Sequence, residues 1–432
     1  MTDFSISPEL REKLDWIRDF VDREIAHMDV MFNTGSVYDT TNTKARAALK
    51  VLQARVKAKG LWGLHLPRDL GGPGLGSVEL CYINEILGET RWGPIVFGAQ
   101  APDSGNGEIL ARYGNAAQKQ KYLGPLQEGD IHSSFSMTEP DGGSDPTQFT
   151  CKATLEGEEW VIEGEKWFSS NYRHAAFLIV IVLTEPEAPA HRRFSALLVP
   201  TDAPGIKVVR NIGMPGEGIG EGSHGYIRYE KVRVPKENLL GERGGGFEVA
   251  QSRLGGGRIH HAMRTIGACR KALRMMMERA VSRTTRGKKL ADHQLVQVDV
   301  ADCWMATEEL KLLVLKTAWM LDQGMEHEAR LWIAACKVRC AQINQQVTYK
   351  AMHLLGSLGM SNETVLPSMM HSSYVMGIAD GPTEVHQLQI GRALLKEASP
   401  SPGRFPTEHL PSQKPAAEEW YARTVAKAPE PA

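Results

Sequence analysis

The feature that most constrains this chain is the order of its hydrophobic periodicities: helical, then two-residue, then helical again. A helix repeats its buried face every ~3.6 residues and a strand every second residue, so each switch in period marks a change of layer. Ser7-Pro8-Glu9 reads as a helix start, with Ser as cap and Pro at the first helical position. Leu10, Leu14, Ile17, Val21 and Ile25 then form one apolar stripe. Further helical pattern covers 44–60 and 77–90, on either side of the turn cluster Gly71-Gly72-Pro73-Gly74. From about Phe135 the texture becomes short, β-branched and aromatic runs bounded by Gly, Pro, Asn and Asp: Trp160-Val161-Ile162, Ala175 to Leu183, Ser195 to Val199, Tyr226 to Val234. From Gly246 helical periodicity returns in four long segments, about 247–284, 291–323, 328–356 and 363–396, the lengths of a helix bundle. The expected organisation is α+β: a helical domain over 1–133, a β-barrel-like domain over 134–244, a four-helix domain over 245–397, and a Pro- and Lys-rich tail over 398–432 expected to be extended.

Fifty basic residues against 51 acidic ones, with 42% hydrophobic residues, describe an ordinary globular composition. The balance lacks the Lys/Arg excess with which nucleic-acid binders neutralise phosphates. No apolar run exceeds that from Ala175 to Leu183, far short of the ~20 residues of a membrane-spanning helix, so no membrane partner is expected. The acidic residues Asp3, Glu9 and Glu12 argue against a transit peptide, and the C-terminal Pro-Glu-Pro-Ala is not a peroxisomal address, so the expected location is cytoplasmic. Six scattered cysteines read as reduced thiols, with Cys336 and Cys340 in core packing rather than on a metal. No metal site is expected. Adjacent His260 and His261 point about 100° apart on a helix and cannot easily share an ion.

Gly220-Glu-Gly222-Ser-His-Gly225 matches the dinucleotide fingerprint, but a strand pattern follows it where that fingerprint requires a helix, so a turn between strands is expected. Two other stretches carry more chemistry. Phe135-Ser-Met-Thr138-Glu139-Pro140-Asp-Gly-Gly143-Ser144-Asp145 is a loop whose small residues let backbone approach a ligand and whose hydroxyls and amides can bind polar ring edges. Gly164-Glu165-Lys166-Trp167-Phe168-Ser169-Ser170-Asn171 ends a strand with two adjacent aromatics, of which alternation lets only one point inward. Asp380-Gly381-Pro382 interrupts a helical pattern between Val375 and Leu395, which places a carboxylate where the backbone breaks; by itself this suits a turn.

These elements, with Arg283-Thr-Thr-Arg286-Gly287-Lys288, Gln294, the Gly356-Ser-Leu-Gly359 turn and Asp380-Gly381-Pro382-Thr383-Glu384, occur in an order that resembles the acyl-CoA dehydrogenase family over nearly the whole chain. The resemblance implies FAD held by Phe135, Met137, Thr138, Gly143, Ser144, Phe168, Ser169 and Ser170, with Pro382, Thr383 and Glu384 also at the cofactor. It implies that Arg283, Arg286, Gln294, His353 and Ser357 reach the FAD of a neighbouring subunit, hence a homodimer or a dimer of dimers. His353 stands where the family usually has Gln, and Ser357 where it has Gly. Ser144, Arg258, Gly381 and Arg392 are implied at the acyl-CoA substrate. Asp380 is implied as the catalytic base, in the place of the family's Glu; an alternative family base position is Gly257 here.

The activity that the resemblance implies is α,β-dehydrogenation of an acyl-CoA to a trans-2-enoyl-CoA, a step of β-oxidation type. Asp380 would take the α-proton, and electrons would pass on to electron-transfer flavoprotein. Desolvation under the bound thioester is expected to raise the Asp380 pKa. The spellings at 166–170, 257–264 and 379–386 look closest to an Asp-base branch that includes members handling 4-hydroxyacyl-CoAs. Two alternatives share the fold: a nitroalkane-oxidase-like flavin oxidase, and a non-enzymatic alkylation-response flavoprotein that binds DNA.

Overall fold

In the computed structural model, which describes residues 5–214 and 217–426, the chain forms two compact units, one through Gln387 and one from Leu388 onward. Helices Pro8–Phe20, Thr43–Ala58, Ser77–Leu87 and Asp103–Tyr113 build the first part. Ser7 caps the first of these by accepting from Leu10 N at 3.1 Å, as its position before Pro8 predicts.

Among the described residues the β region has eight strands: β1 (Ser133–Ser136), β2 (Lys152–Glu156), β3 (Glu159–Ser169), β4 (Phe177–Leu183), β5 (Phe194–Pro200), β6 (Ile206–Ile212), β7 (His224–Pro235) and β8 (Leu239–Leu240). They pair in the order β6-β7-β3-β2-β4-β5-β8, with β1 parallel to β4 on the edge that also meets β2. A single bridge, Phe135 to Ser170, ties β1 back to the end of β3, so β1, β4, β2 and β3 complete a small circuit of barrel character. β4 is buried on both faces. Phe177, Ile179 and Ile181 enter one apolar cluster and Leu178, Val180 and Val182 the other, which is why its sequence is a continuous apolar run instead of an alternating one. The Gly220–Gly225 segment feeds β7, a strand, as its sequence context indicates.

Helices Gly246–Ser282, Gln294–Asp322, Glu326–Leu355 and Leu366–Met376 follow, with the hairpin β9 (Thr284–Thr285) and β10 (Lys288–Lys289) after the first of them. They do not bury a core of their own. Ile17, Leu49 and Ile83 from the first helices share one cluster with Met263, Ile266, Val314 and Ile343 from the last. A side chain at Gly88 or Gly267 would overlap the facing backbone of Arg264 or Glu85, so glycine is what lets the 77–87 and 246–282 helices approach this closely. Cys336 and Cys340 lie in that cluster, bonded to Thr317 and to the Lys337 carbonyl.

One sequence expectation is corrected. The tail is not extended throughout: Leu410–Val425 is a helix, started by Pro411 and carried by Ala416, Ala417, Glu418 and Glu419, residues with high helix propensity. Among the described residues no helix is long and apolar enough to cross a membrane.

Candidate active site

The loop after β1 is pinned from inside the β region. Lys166 on β3 is fully buried and donates from Nζ to the Met137 carbonyl at 2.7 Å and to Glu139 Oε1 at 2.8 Å. Glu139 also accepts from Thr150 N at 2.7 Å and Cys151 N at 2.9 Å. Burial pushes the Glu139 carboxyl up, but the Lys166 charge and these donors outweigh it and hold the group below its ordinary pKa. Trp167 N donates to the Thr138 carbonyl at 2.9 Å, which lays the loop along the end of β3.

At that end the two aromatics part. Trp167 is half-buried with an unpartnered buried Nε1, whereas Phe168 is 43% exposed at φ +47°, a backbone region that non-glycine residues enter only where the surroundings impose it. Ser170 Oγ lies 2.9 Å from His224 Nδ1. Ser169 turns away from the surface: it is fully buried, with its hydroxyl 2.8 Å from Ser136 Oγ, which in turn meets Tyr229 OH at 2.9 Å. Its side chain is therefore committed to the interior and leaves its backbone for a ligand. Gly143 and Ser144 are exposed on the loop rim. An exposed ring beside a rim of small residues, hydroxyls and amides has the chemistry to cover a planar, polar-edged group, so these residues fit a flavin.

Asp380 closes the other side. The backbone breaks after Leu366–Met376, passes Asp380 at φ +57° and Gly381 at φ +105°, and resumes as helix Thr383–Glu397. Asp380 O accepts from Arg258 Nε at 3.0 Å and lies 3.3 Å from His386 Nε2. Its Oδ2 is 3.4 Å from His261 Nε2, and a Cβ built on Gly257 would stand 3.3 Å from the same oxygen. The two base positions weighed in the sequence thus face one point in space. Burial pushes the Asp380 carboxyl up, yet the contact with His261 and the charges of Arg253 and Arg258 hold it well below the usual range. In the substrate-free chain this is opposite in sign to the rise expected under a bound thioester, because the cationic helix outweighs the loss of water. Burial pulls His261 down, so at neutral pH it faces Asp380 as a neutral imidazole that can donate Nε2–H.

The sequence motifs contain His261, Lys166 and Glu139 without these contacts, and they leave out Arg253. Arg253 donates from Nε to Asn106 Oδ1 at 2.9 Å and stacks its guanidinium 4.2 Å over the Phe135 ring, so the 246–282 helix links the β1 loop to Asp380. The signal was available, since positions 253, 257, 261 and 264 recur along one helix face.

Other expected residues lie elsewhere. Arg283 and Arg286 are exposed on the hairpin, Arg286 at φ +48° in its turn, and Gln294 is exposed at the start of the next helix. His353, its ring 4.2 Å from that of Tyr349, and Ser357 are exposed at the end of the 326–355 helix. Thr383 bonds back to the Gly377 carbonyl, which fixes the turn around Asp380 and Pro382, and Glu384 is exposed. Arg392 is exposed and belongs to the second unit. Among the described residues no cluster of three His, Cys, Asp or Glu could hold a metal.

A helix–strand–helix frame with a flavin-compatible rim on one side and a buried carboxylate on the other defines a class of flavoproteins. The chain matches that class in all three parts: acyl-CoA dehydrogenase, N-terminal domain over 7–130, middle domain over 134–232 and C-terminal domain over 244–395. FadE2 of Mycobacterium tuberculosis, named as an acyl-CoA dehydrogenase, is 36% identical over 406 residues, spanning 91% of this chain and 97% of that protein. Acyl-CoA dehydrogenase family member 10 of Mus musculus is 36% identical over 402 residues, but this chain spans only 38% of its length, and 45% of that of family member 11 of Rattus norvegicus. Among solved structures, the butyryl-CoA dehydrogenase of Megasphaera elsdenii aligns with a TM-score of 0.76 at 25% identity, covering 91% of this chain and all of that one (100%). A Mycobacterium abscessus chain described as an acyl-CoA dehydrogenase aligns with a TM-score of 0.84 at 37% identity, covering 92% of this chain and 100% of that one. This chain belongs to the acyl-CoA dehydrogenase family, whose members are FAD-binding flavoproteins.

Proposed function

We propose that the chain dehydrogenates an acyl-CoA thioester between its α and β carbons, with Asp380 as the base. The observation that carries this is the Asp380 carboxylate, ionised at neutral pH and set in a strained turn that points Oδ2 at Gly257. Asp380 accepts the α-proton, and because a neutral His261 donates to the same carboxylate, the base is oriented without being neutralised. Arg258 holds the base's backbone rather than its carboxylate, leaving the oxygens for the substrate. Phe168 and the 137–144 loop would hold FAD, which when bound would supply the hydride acceptor for the β-hydrogen, so that proton and electron pair are both accounted for. Asp is one methylene shorter than Glu, so the substrate must come ~1.5 Å closer for proton transfer.

The supports for the finer readings are separate. The branch assignment rests on the Gly257-Arg258-Ile259-His260-His261 spelling, and a 4-substituted acyl group would follow from it. A homo-oligomer is supported by an exposed apolar stripe on the 294–322 helix, Val298, Met305, Leu312 and Trp319 at seven-residue spacing. The expected electron acceptor is electron-transfer flavoprotein; fast reoxidation of the reduced protein by air would replace it with oxygen.

The test is anaerobic titration of the FAD-loaded protein with acyl-CoAs differing in length, branching and 4-substitution. At least one should bleach the flavin band. Asp380→Asn should retain FAD and reduce it about 10²–10⁴-fold more slowly; normal reduction in that variant would remove Asp380 from the role.

A further inference from the structure

Lys337 is a buried titratable group that the proposed mechanism has not used. It sits on the 326–355 helix at 1% exposure, and among the described residues no carboxylate forms an ion pair with it. Burial pulls its pKa down, and the nearby Asp380 carboxylate is among the groups that oppose this. A position needed only for packing suits an apolar side chain, because a buried amine without a counter-ion loses its hydration unreplaced.

The side chain makes one hydrogen bond among the described residues: Nζ donates to the carbonyl of Met376, the last residue of the 366–376 helix. That carbonyl needs a partner from outside its own segment. Gly377 N donates to the Tyr374 carbonyl at 3.0 Å, and Ile378 N and Ala379 N to that of Val375 at 3.0 and 2.9 Å, so these turn amides pass Met376 by. Lys337 thus fills an orphan acceptor at a helix C-terminus, where basic side chains are favourable.

Asp380 stands four positions beyond that carbonyl. To reach it the chain enters φ +57° at Asp380 and +105° at Gly381, a path that the surroundings have to impose. On the far side Thr383 holds the Gly377 carbonyl through N at 2.9 Å and Oγ1 at 3.3 Å, while Arg258 Nε and His386 Nε2 hold that of Asp380 at 3.0 and 3.3 Å. Lys337 supplies the anchor on the preceding side. One turn further along its helix, Ala341 packs on the same segment: a Cβ built on Gly377 would meet Ala341 Cβ at 3.6 Å.

We infer that Lys337 is a positioning residue, which fixes the helix end from which the chain turns to present Asp380. The inference rests on the proposed role of Asp380 as base, since Lys337 bonds to Met376 and acts on the reaction through that turn.

The test compares the FAD-loaded full chain with Lys337→Met, which has a similar length and no donor, and with Lys337→Gln, whose donor is one bond too short to reach Met376. In amide hydrogen exchange the 377–381 segment should exchange about tenfold faster in both variants. The melting temperature should change little, because the lost helix-end bond is offset by removal of a buried amine. In anaerobic reduction by butyryl-CoA, isobutyryl-CoA and octanoyl-CoA, the limiting rate with whichever reduces the unsubstituted protein should fall about 10- to 100-fold, with half-saturation and FAD occupancy within about twofold. Added to Asp380→Asn, Lys337→Met should slow reduction by less than about twofold further, because both changes act on one base. Unchanged exchange at 377–381, a lowered melting temperature with an unchanged limiting rate, or a full additional loss on top of Asp380→Asn overturns the inference. Normal reduction by Asp380→Asn alone would remove the base, and the exchange readout, which needs no substrate, tells that failure apart from failure of the Lys337 anchor.

Discussion

Asp380 stands at φ +57° with its carboxylate shared between a neutral imidazole and two guanidinium fields. A group whose folded pKa is depressed contributes stability above its unfolded value, ~3.9 for Asp, and loses it only as pH falls through the lower folded value. The same sign governs activity. In the free protein the proposed base is ionised throughout the neutral range, so kcat/KM should stay flat from about pH 8 down to about pH 5 with respect to this group. His261→Leu removes one of the two lowering influences, and the acid limb of kcat/KM should move to higher pH; an unchanged limb would mean that the arginines alone set the base. Asn and Asp are among the few non-glycine residues that tolerate left-handed backbone, so Asp380→Asn should leave the turn intact, with an unchanged circular dichroism spectrum and melting temperature.

At the scale of elements, the β1 loop and the end of β3 act as one unit because Lys166 and Glu139 join them in the interior, at 0% and 6% side-chain exposure. Removing one partner of such a pair strands the other, at a cost of about 3–5 kcal/mol. Lys166→Met should therefore lower the melting temperature and release FAD, while Lys166→Met with Glu139→Gln should recover much of the stability; thermal denaturation with flavin fluorescence reads both. This pair also marks the limit of what was legible in sequence. Period and punctuation located β3, β4, β5, β7, the long helices and the break at Asp380, since those signals are local, but not β1, β2, β6 or β8. Lys166 and His261 stood in motifs but without these contacts, because their partners are 27 and 119 positions away and no local pattern encodes such a distance. The tail helix was missed for the opposite reason. Its prolines suggested an arm, but Pro411 occupies the first turn, where proline is compatible with a helix, and the helix continues past Pro415 despite the donor that residue lacks.

For the whole molecule, near-zero net charge means that the proposed acyl-CoA substrate, a polyanion, would be held by a few placed cations and helix ends rather than by a general field. The apolar stripe on the 294–322 helix has the spacing that buries against another helix, and a second copy of the chain is the proposed cover. Met305→Glu together with Leu312→Glu should shift the protein to a smaller species in sedimentation velocity, and should lower FAD occupancy if the hairpin arginines serve a neighbour.

The 246–282 helix gives that last expectation a ruler. It stacks Arg253 on Phe135 near one end and delivers Arg283 to the hairpin at the other, roughly thirty residues apart, which at ~1.5 Å per residue is about 45 Å. An arginine side chain reaches only a small fraction of that length. Along this helix the hairpin arginines stand far from β1, which carries Phe135, so if they grasp an anion, it would be one that the proposed second copy brings to them.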